Sequence, residues 1–255
     1  MQLSGLDILL AEDNPTNQMV AVQMLETLGA AVMLAADGEE ALRLAEERPF
    51  DLALIDIEMP NLSGLEVIRH LRAGPPPKSQ LPLIALTAYV MREHREAIDE
   101  AGADGVIAKP ILSIEKLAED ILEMVAARRG KAGAAPAGPA TAEGAPAFDP
   151  GALDGLAASL GQDAMPSLMA RIEADLAALR AEVLAAVPRR DSQALRLASH
   201  SLMSIAGQVG ANRLQARAQC LNSAAHGEEI PEMQQTGTEL VAEIDAAVAY
   251  VRERV

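Results

Sequence analysis

The first 128 residues alternate between short apolar runs and segments with helical spacing. The apolar runs lie at residues 6–11, 32–35, 52–55, 83–86 and 106–108. Such short runs, bounded by turn residues, are typical of strands that are buried on both faces. Helical segments follow each run, and begin near Pro15, Asp37, Gly64, Arg92 and Ser113. Five strands alternating with five helices predict an α/β domain with a parallel, doubly wound sheet over residues 1–129.

The second half of the chain has no strand-like run and predicts an all-α domain. We expect helices at about 150–160, 163–186, 191–209, 211–225 and 231–254, with a break at Pro188. One short helix and four longer ones predict a four-helix bundle over residues 148–255. Residues 130–147 are almost wholly Gly, Ala and Pro, a composition that predicts a mobile linker between the two domains.

Charge and cysteine content exclude several classes of protein. The formal net charge is −16, with 37 acidic and 21 basic residues, which argues against direct nucleic-acid binding. The single cysteine, Cys220, excludes an internal disulfide. No signal peptide is evident, and no run reaches the ~20 apolar residues of a membrane span. We therefore expect a cytoplasmic protein that does not insert into membranes.

Polar side chains stand at the carboxyl ends of four of the predicted strands. They are Glu12 and Asp13, Asp56, Thr87 and Lys109. Because the carboxyl ends of parallel strands meet at one edge of a sheet, these groups should converge. Crowded carboxylates need a cation, and an all-oxygen ligand set suits Mg²⁺. A carboxylate beside a metal, a lysine and a hydroxyl can attack phosphorus.

These residues and their surroundings resemble the response-regulator receiver family. The motifs are Glu12-Asp13, Asp56 with Met59-Pro60 and Gly64, Thr87-Ala88, and Lys109-Pro110. The resemblance covers residues 5–127 and implies a flavodoxin-like fold. Residues 12–18 resemble receivers attached to hybrid histidine kinases.

The receiver resemblance also implies a role for each site residue. Asp56 would accept a phosphoryl group, and Lys109 and Thr87 would contact the phosphoryl oxygens. Mg²⁺ would be held by Asp13, Asp56 and the main-chain carbonyl of Glu58, with Glu12 reaching it through water. The Lys109–Pro110 peptide would be cis.

The aromatic residues near this site differ from the family's usual pattern. The family usually has Tyr or Phe three residues before the lysine, whereas this chain has Val106. Tyr89 is the aromatic near the site, and we interpret it as a partly buried tyrosine with one end in water.

The helix predicted at 191–209 carries a histidine. An apolar stripe includes Leu195, Leu202 and Ile205, and at 100° per residue His200 is predicted to point away from it, toward solvent. Residues 198–202, continuing to Gly207 and Gly210, resemble the histidine phosphotransfer (HPt) domain. That resemblance implies that His200 carries phosphate and exchanges it with receiver aspartates. The family's Lys and Gly, three and four residues after the histidine, are replaced by Met203 and Ser204.

Together these features predict a two-component phosphorelay intermediate, a receiver fused to an HPt domain. Its partners would be a histidine kinase of the hybrid type, a downstream response regulator, or both. It would catalyse its own aspartate phosphorylation and dephosphorylation without being a metabolic enzyme. Two alternatives remain open: a phosphate sink that loses phosphate from Asp56 by hydrolysis, and a phosphorylation-gated binding protein whose bundle only docks partners.

Overall fold

The computed structural model describes residues 2–88, 92–130, 147–227 and 230–254. Its contacts divide the chain into two compact units, residues 1–141 and 142–255. Residues 131–146, which include nearly all of the predicted linker, lie outside the described residues. The proposed division into domains 1–129 and 148–255, with a linker at 130–147, therefore stays a prediction.

The first unit contains a five-stranded parallel sheet in the order β2-β1-β3-β4-β5. Its strands are Asp7–Ala11 (β1), Ala31–Ala35 (β2), Leu52–Asp56 (β3), Leu83–Thr87 (β4) and Gly105–Ala108 (β5). Every residue of β3 and β4 is buried, because these central strands are covered on both faces. The predicted doubly wound α/β fold is confirmed.

Helices connect the strands of the first unit. They are Pro15–Thr27 (α1), Gly38–Glu47 (α2), Gly64–Ala73 (α3), Arg92–Ala101 (α4) and Ile114–Gly130 (α5). Polar side chains at the N-termini of three of these helices bind main-chain amides of the first turn and so define where each helix begins. Asn14 accepts hydrogen bonds from two main-chain amides of α1, Asp37 accepts one from Glu40, and Ser63 forms a capping box with Glu66.

The second unit is all-helical. Its helices are Pro150–Leu160 (α6), Met165–Arg189 (α7), Ser192–Gln208 (α8), Asn212–Gly227 (α9) and Ile230–Arg252 (α10). Within the described residues, α7 and α9 each pack against both α8 and α10, so these four helices form a bundle, and α6 packs on α8. Fully buried Leu176, Leu202, Leu221 and Ile244 contribute one core residue from each of the four helices.

One predicted break is wrong, because α7 continues through Pro188 to Arg189. A proline removes one main-chain hydrogen bond from a helix. Here it lies in the last turn, and the helix ends directly afterwards, where Arg190 adopts a left-handed conformation (φ 55°). The loss of this main-chain hydrogen bond therefore weakens only the last turn of α7.

Among the described residues, no helix combines the length and the apolarity that are needed to cross a membrane.

Candidate active site

The polar residues singled out in the sequence meet at the carboxyl edge of the sheet. Glu12 and Asp13 follow β1, Asp56 ends β3, Thr87 ends β4 and Lys109 follows β5. Because β1, β3, β4 and β5 are successive neighbours, their ends bring these side chains together. Glu12, Asp56, Thr87 and Lys109 are buried, and Asp13 is partly exposed.

Lys109 links two of the carboxylates. Its Nζ lies 2.6 Å from Asp56 Oδ2 and 2.6 Å from Glu12 Oε2. The side chains of all three residues are at most 3% exposed. A buried cation that bridges two carboxylates offsets charge that would otherwise be left unpaired in a low-dielectric site.

Burial and mutual charge shift the ionisation of this cluster. Burial raises the pKa of Glu12 to about 7, and the negative charge of Asp56 adds to the rise. Burial acts to lower the pKa of Lys109, but the charges of Asp56 and Glu12 outweigh it and raise that pKa above its usual range. Lys109 is therefore a permanent cation at neutral pH.

The Glu12 carboxylate has partners on both of its oxygens. Oε1 accepts a hydrogen bond from Asn17 Nδ2 at 2.9 Å and a longer one from the Asn14 main-chain amide at 3.3 Å. Oε2 faces Lys109. Asn17 lies within residues 12–18, which resemble receivers attached to hybrid histidine kinases, but nothing in the sequence indicates that its side chain contacts Glu12.

The start of α3 is packed tightly against the end of β3. A Cβ atom on Gly64 would clash with the main-chain carbonyl of Asp56, so only glycine permits this approach. The Gly64 amide donates to the carbonyl of Ile57 at 3.0 Å. On the same loop, the Glu58 amide donates to Asp56 Oδ1 at 3.3 Å. The Gly64 contacts thus fix the main chain after β3, and the Glu58 amide contacts the Asp56 carboxylate itself.

A divalent cation fits this cluster of side chains. One carboxylate oxygen from each of Glu12, Asp13 and Asp56 lies within 4.8 Å of the other two. Hard oxygen donors at this separation suit Mg²⁺, which keeps several waters and takes one or two carboxylates. The main chain of Glu58 lies beside Asp56, where its carbonyl was expected to contribute.

Two further expectations concern the loop after β5 and the neighbouring strands. The Lys109–Pro110 peptide is cis, as the receiver resemblance implied. The Lys109 amide donates to the carbonyl of Thr87 at 2.8 Å, which joins the ends of β4 and β5.

Val106, which occupies the position of the family's usual aromatic residue, is buried within β5. Tyr89 lies outside the described residues, so its interpretation stays a prediction.

His200 lies in the middle of α8 in the second unit. The prediction that it faces solvent is wrong, because only 2% of the residue is exposed, and Met203 and Ser204 are buried too. The prediction assumed one buried stripe, but α8 contacts α6 as well as α7 and α9. The Asp149 amide, just before α6, donates to the carbonyl of Gly210 just after α8. Residues 198–200 and 202–208 are all buried, so the covered part of α8 is much wider than one stripe.

Comparison with known proteins identifies the first unit. Residues 8–122 match the sequence model of the response regulator receiver domain. The aerobic respiration control sensor protein ArcB of Escherichia coli K12 is 40% identical over 111 residues, 44% of this chain and 14% of ArcB. The sensor protein GacS of Pseudomonas syringae is 33% identical over 118 residues, 46% of this chain and 13% of GacS. The chain thus spans about one seventh of these sensor proteins.

A shorter relative and a solved structure are covered almost completely. The polar-differentiation response regulator DivK of Brucella anthropi is 36% identical over 114 residues, 45% of this chain and 91% of DivK. One similar solved structure is the receiver domain of a sensor histidine kinase from Pseudomonas aeruginosa PAO1, with magnesium coordinated in its active-site cleft. It is 38% identical and covers 48% of this chain and 99% of its own, with a TM-score of 0.45. Through its first unit, the chain belongs to the response regulator receiver domain family.

Proposed function

We propose that this protein is a phosphorelay intermediate in which Asp56 accepts a phosphoryl group and His200 exchanges phosphate with a receiver aspartate. The observation that carries the first half is the buried Lys109, held 2.6 Å from Asp56 among three carboxylates. This arrangement combines a nucleophile, a permanent cation and a set of metal ligands in one cleft.

The proposed chemistry is a displacement at phosphorus. An Asp56 carboxylate oxygen forms a bond to phosphorus, and the bond from phosphorus to the leaving group breaks, with its electron pair going to that group. Lys109 and the Thr87 hydroxyl bind oxygens of the transferring phosphoryl group and neutralise its charge. Asp13, Asp56 and the Glu58 carbonyl would hold Mg²⁺, which supplies charge neutralisation and orientation. Glu12 would reach the ion through a water molecule.

Asp56→Asn tests the first half. A neutral carboxamide is a poor nucleophile, so we expect this variant to take up no acid-labile phosphate at the receiver when given acetyl phosphate and Mg²⁺. Intact-mass spectrometry and peptide mapping measure the uptake. Asp99→Asn is the matched control, because Asp99 is an exposed aspartate on α4 and is not one of the site residues. Phosphate that still appears in the receiver of Asp56→Asn would show that another residue is the nucleophile.

The second half of the proposal concerns the bundle. The α7–α10 arrangement supports it, because it presents a histidine from the middle of a helix within a four-helix framework. Transfer requires the imidazole nitrogen to approach phosphorus to about 3–3.5 Å. Because His200 is only 2% exposed, transfer also requires its surroundings to open or to be displaced by the partner.

His200→Gln tests transfer through the bundle. We expect it to abolish acid-labile, base-stable phosphate in the second unit after mixing with a phosphorylated partner receiver, because glutamine cannot form the phosphoramidate. His226→Gln, which changes an exposed histidine at the end of α9, should keep the phosphate. Equal label in His200→Gln and the unchanged protein would remove His200 from the relay.

The burial of His200 also favours a second candidate function. A covered imidazole suits a phosphorylation-gated binding protein, whose bundle docks partners without accepting phosphate. The same experiment separates the two, since a docking module would bind the partner receiver yet carry no phosphohistidine. If Asp56 takes up label and loses it to water with no label reaching His200, the protein acts as a phosphate sink.

A further inference from the structure

We propose that Asn17 is a positioning residue for the receiver chemistry, and that its side-chain amide orients the Glu12 carboxylate toward Lys109. This inference rests on the proposed function of the receiver, because it assigns a role within that same site. Asn17 does not itself face the phosphoryl group in this proposal. It acts through Glu12.

The contacts around Glu12 divide its two oxygens between two partners. Asn17 Nδ2 donates to Oε1 at 2.9 Å, and Lys109 Nζ lies 2.6 Å from Oε2. With a donor on each side, the carboxylate is held in one orientation. The remaining contact to Oε1, from the Asn14 amide, is 3.3 Å long and is weaker.

The start of α1 places Asn17 where it can make this contact. The Asn14 side chain accepts hydrogen bonds from the Thr16 and Asn17 amides, at 3.0 and 3.1 Å, and so fixes the first turn. Asn17 itself is 6% exposed and Glu12 is 1% exposed. Without Asn17, Oε1 would keep the longer contact from the Asn14 amide, and water could not easily replace the shorter one at a buried oxygen, so the Asn17 contact is costly to remove.

The chemical type of this side chain also matters. An amide orients Glu12 without adding charge to a cluster that already contains three carboxylates and one ammonium. Lys109 shares its ammonium between Glu12 and Asp56. A Glu12 carboxylate held in one orientation therefore helps to keep the Lys109 ammonium beside Asp56, where it would contact the incoming phosphoryl group. Side chains that orient the groups around a metal site typically contribute about 10–100-fold to metal affinity or activity.

The primary test compares Asn17→Ala with Gln18→Ala in the full-length protein. Gln18 Nε2 also donates to Glu12, but to the main-chain carbonyl, at 2.6 Å. We expect Asn17→Ala to slow Asp56 phosphorylation by acetyl phosphate about tenfold and to raise the Mg²⁺ concentration for half-maximal rate. Gln18→Ala should have a clearly smaller effect on both. Equal losses in the two variants would indicate general loosening of α1 and would overturn the assignment.

A double-mutant cycle with Glu12→Gln separates positioning from a general structural role. If Asn17 acts through the Glu12 carboxylate, Asn17→Ala should change the rate in the Glu12→Gln background by less than about twofold. An undiminished tenfold loss in that background would overturn the inference. Circular dichroism melting of each variant measures folding in parallel.

The outcomes also distinguish this inference from the proposed function. If the unchanged protein takes no label at Asp56, the proposed function fails and the inference fails with it. If the unchanged protein is labelled and Asn17→Ala is labelled at the same rate, the proposed function stands and the inference alone is wrong.

Discussion

Lys109→Met is expected to destabilise the receiver by about 3–5 kcal/mol in the absence of divalent cations, the usual cost of removing one partner from a buried ion pair. Methionine retains most of the apolar stem but leaves Glu12 and Asp56 without the ammonium that lies 2.6 Å from each. The two carboxylates then repel each other in a buried site. Chemical denaturation followed by circular dichroism, in the presence of EDTA, measures the loss in the free energy of unfolding.

Mg²⁺ should reverse part of this loss. A divalent cation can replace the missing positive charge, and removing Lys109 also removes a repulsion against the ion, so Mg²⁺ should bind the variant more tightly. The ion should raise the melting temperature of Lys109→Met more than that of the unchanged protein. The variant should still fail to phosphorylate Asp56 efficiently, because the ammonium that would contact the phosphoryl oxygens is gone.

Lys116→Met provides the control for a change of the same kind at the surface. Lys116 pairs with Asp120 one turn along α5, and its side chain is 62% exposed. Such exposed pairs contribute about 0.2–1 kcal/mol, so Lys116→Met should lose little stability. Mg²⁺ should raise its melting temperature by the same amount as that of the unchanged protein. Similar losses at both lysines, or an equal response to Mg²⁺, would contradict the buried bridge as the cause.

The sheet and its polar edge were predictable from the sequence for a physical reason. A strand buried on both faces must be apolar throughout, so a carboxylate such as Asp56 at its end is conspicuous. Parallel pairing then brings the ends of neighbouring strands to the same edge. Glu12, Asp13, Asp56, Thr87 and Lys109 could therefore be grouped without knowledge of any distance.

The environment of His200 was predicted wrongly because periodicity describes one helix and not its neighbours. The spacing of Leu195, Leu202 and Ile205 correctly marks a buried face of α8. It contains no information about how α6, α7 and α9 are arranged around the rest of α8. A histidine opposite an apolar stripe is exposed only when no further element covers that side.

The contacts of individual polar side chains could also not be predicted from the sequence. Asn17 lies next to motif residues, yet nothing in its spacing reveals that its amide reaches Glu12. Arg72 is another example, because it stands in the last turn of α3 like any surface cation. Its partners come from segments up to 32 residues away along the chain, and only the fold brings them together.

Arg72→Met is expected to destabilise the receiver by about 3–5 kcal/mol, because it breaks a largely buried ion pair together with three hydrogen bonds. The guanidinium donates to the carbonyls of Gly102, Ser79 and Leu81, at 2.6, 3.1 and 2.7 Å. Its Nη2 lies 2.6 Å from Asp104 Oδ2, and the two side chains are 18% and 17% exposed.

This cluster joins the end of α3 to the segments on either side of β4. Asp104 Oδ2 also accepts a hydrogen bond from the Leu83 amide, so it holds the first residue of β4 directly. Loss of Arg72 leaves three carbonyls without this donor and leaves the carboxylate of Asp104 partly buried without its cation. Methionine preserves the stem, so the measured loss reports the polar contacts rather than a cavity.

Arg43→Met is the matched control for this change, since Arg43 lies on α2 with its side chain 54% exposed and pairs with Glu40 and Glu47 at helical spacing. Pairs of that kind contribute about 0.3–0.5 kcal/mol each, so its midpoint of urea unfolding should move little. Arg72→Met should shift that midpoint far more, while the amides of the strands stay protected from hydrogen exchange under native conditions. A shift no larger than that of Arg43→Met would mean that water replaces the guanidinium at all three carbonyls without cost.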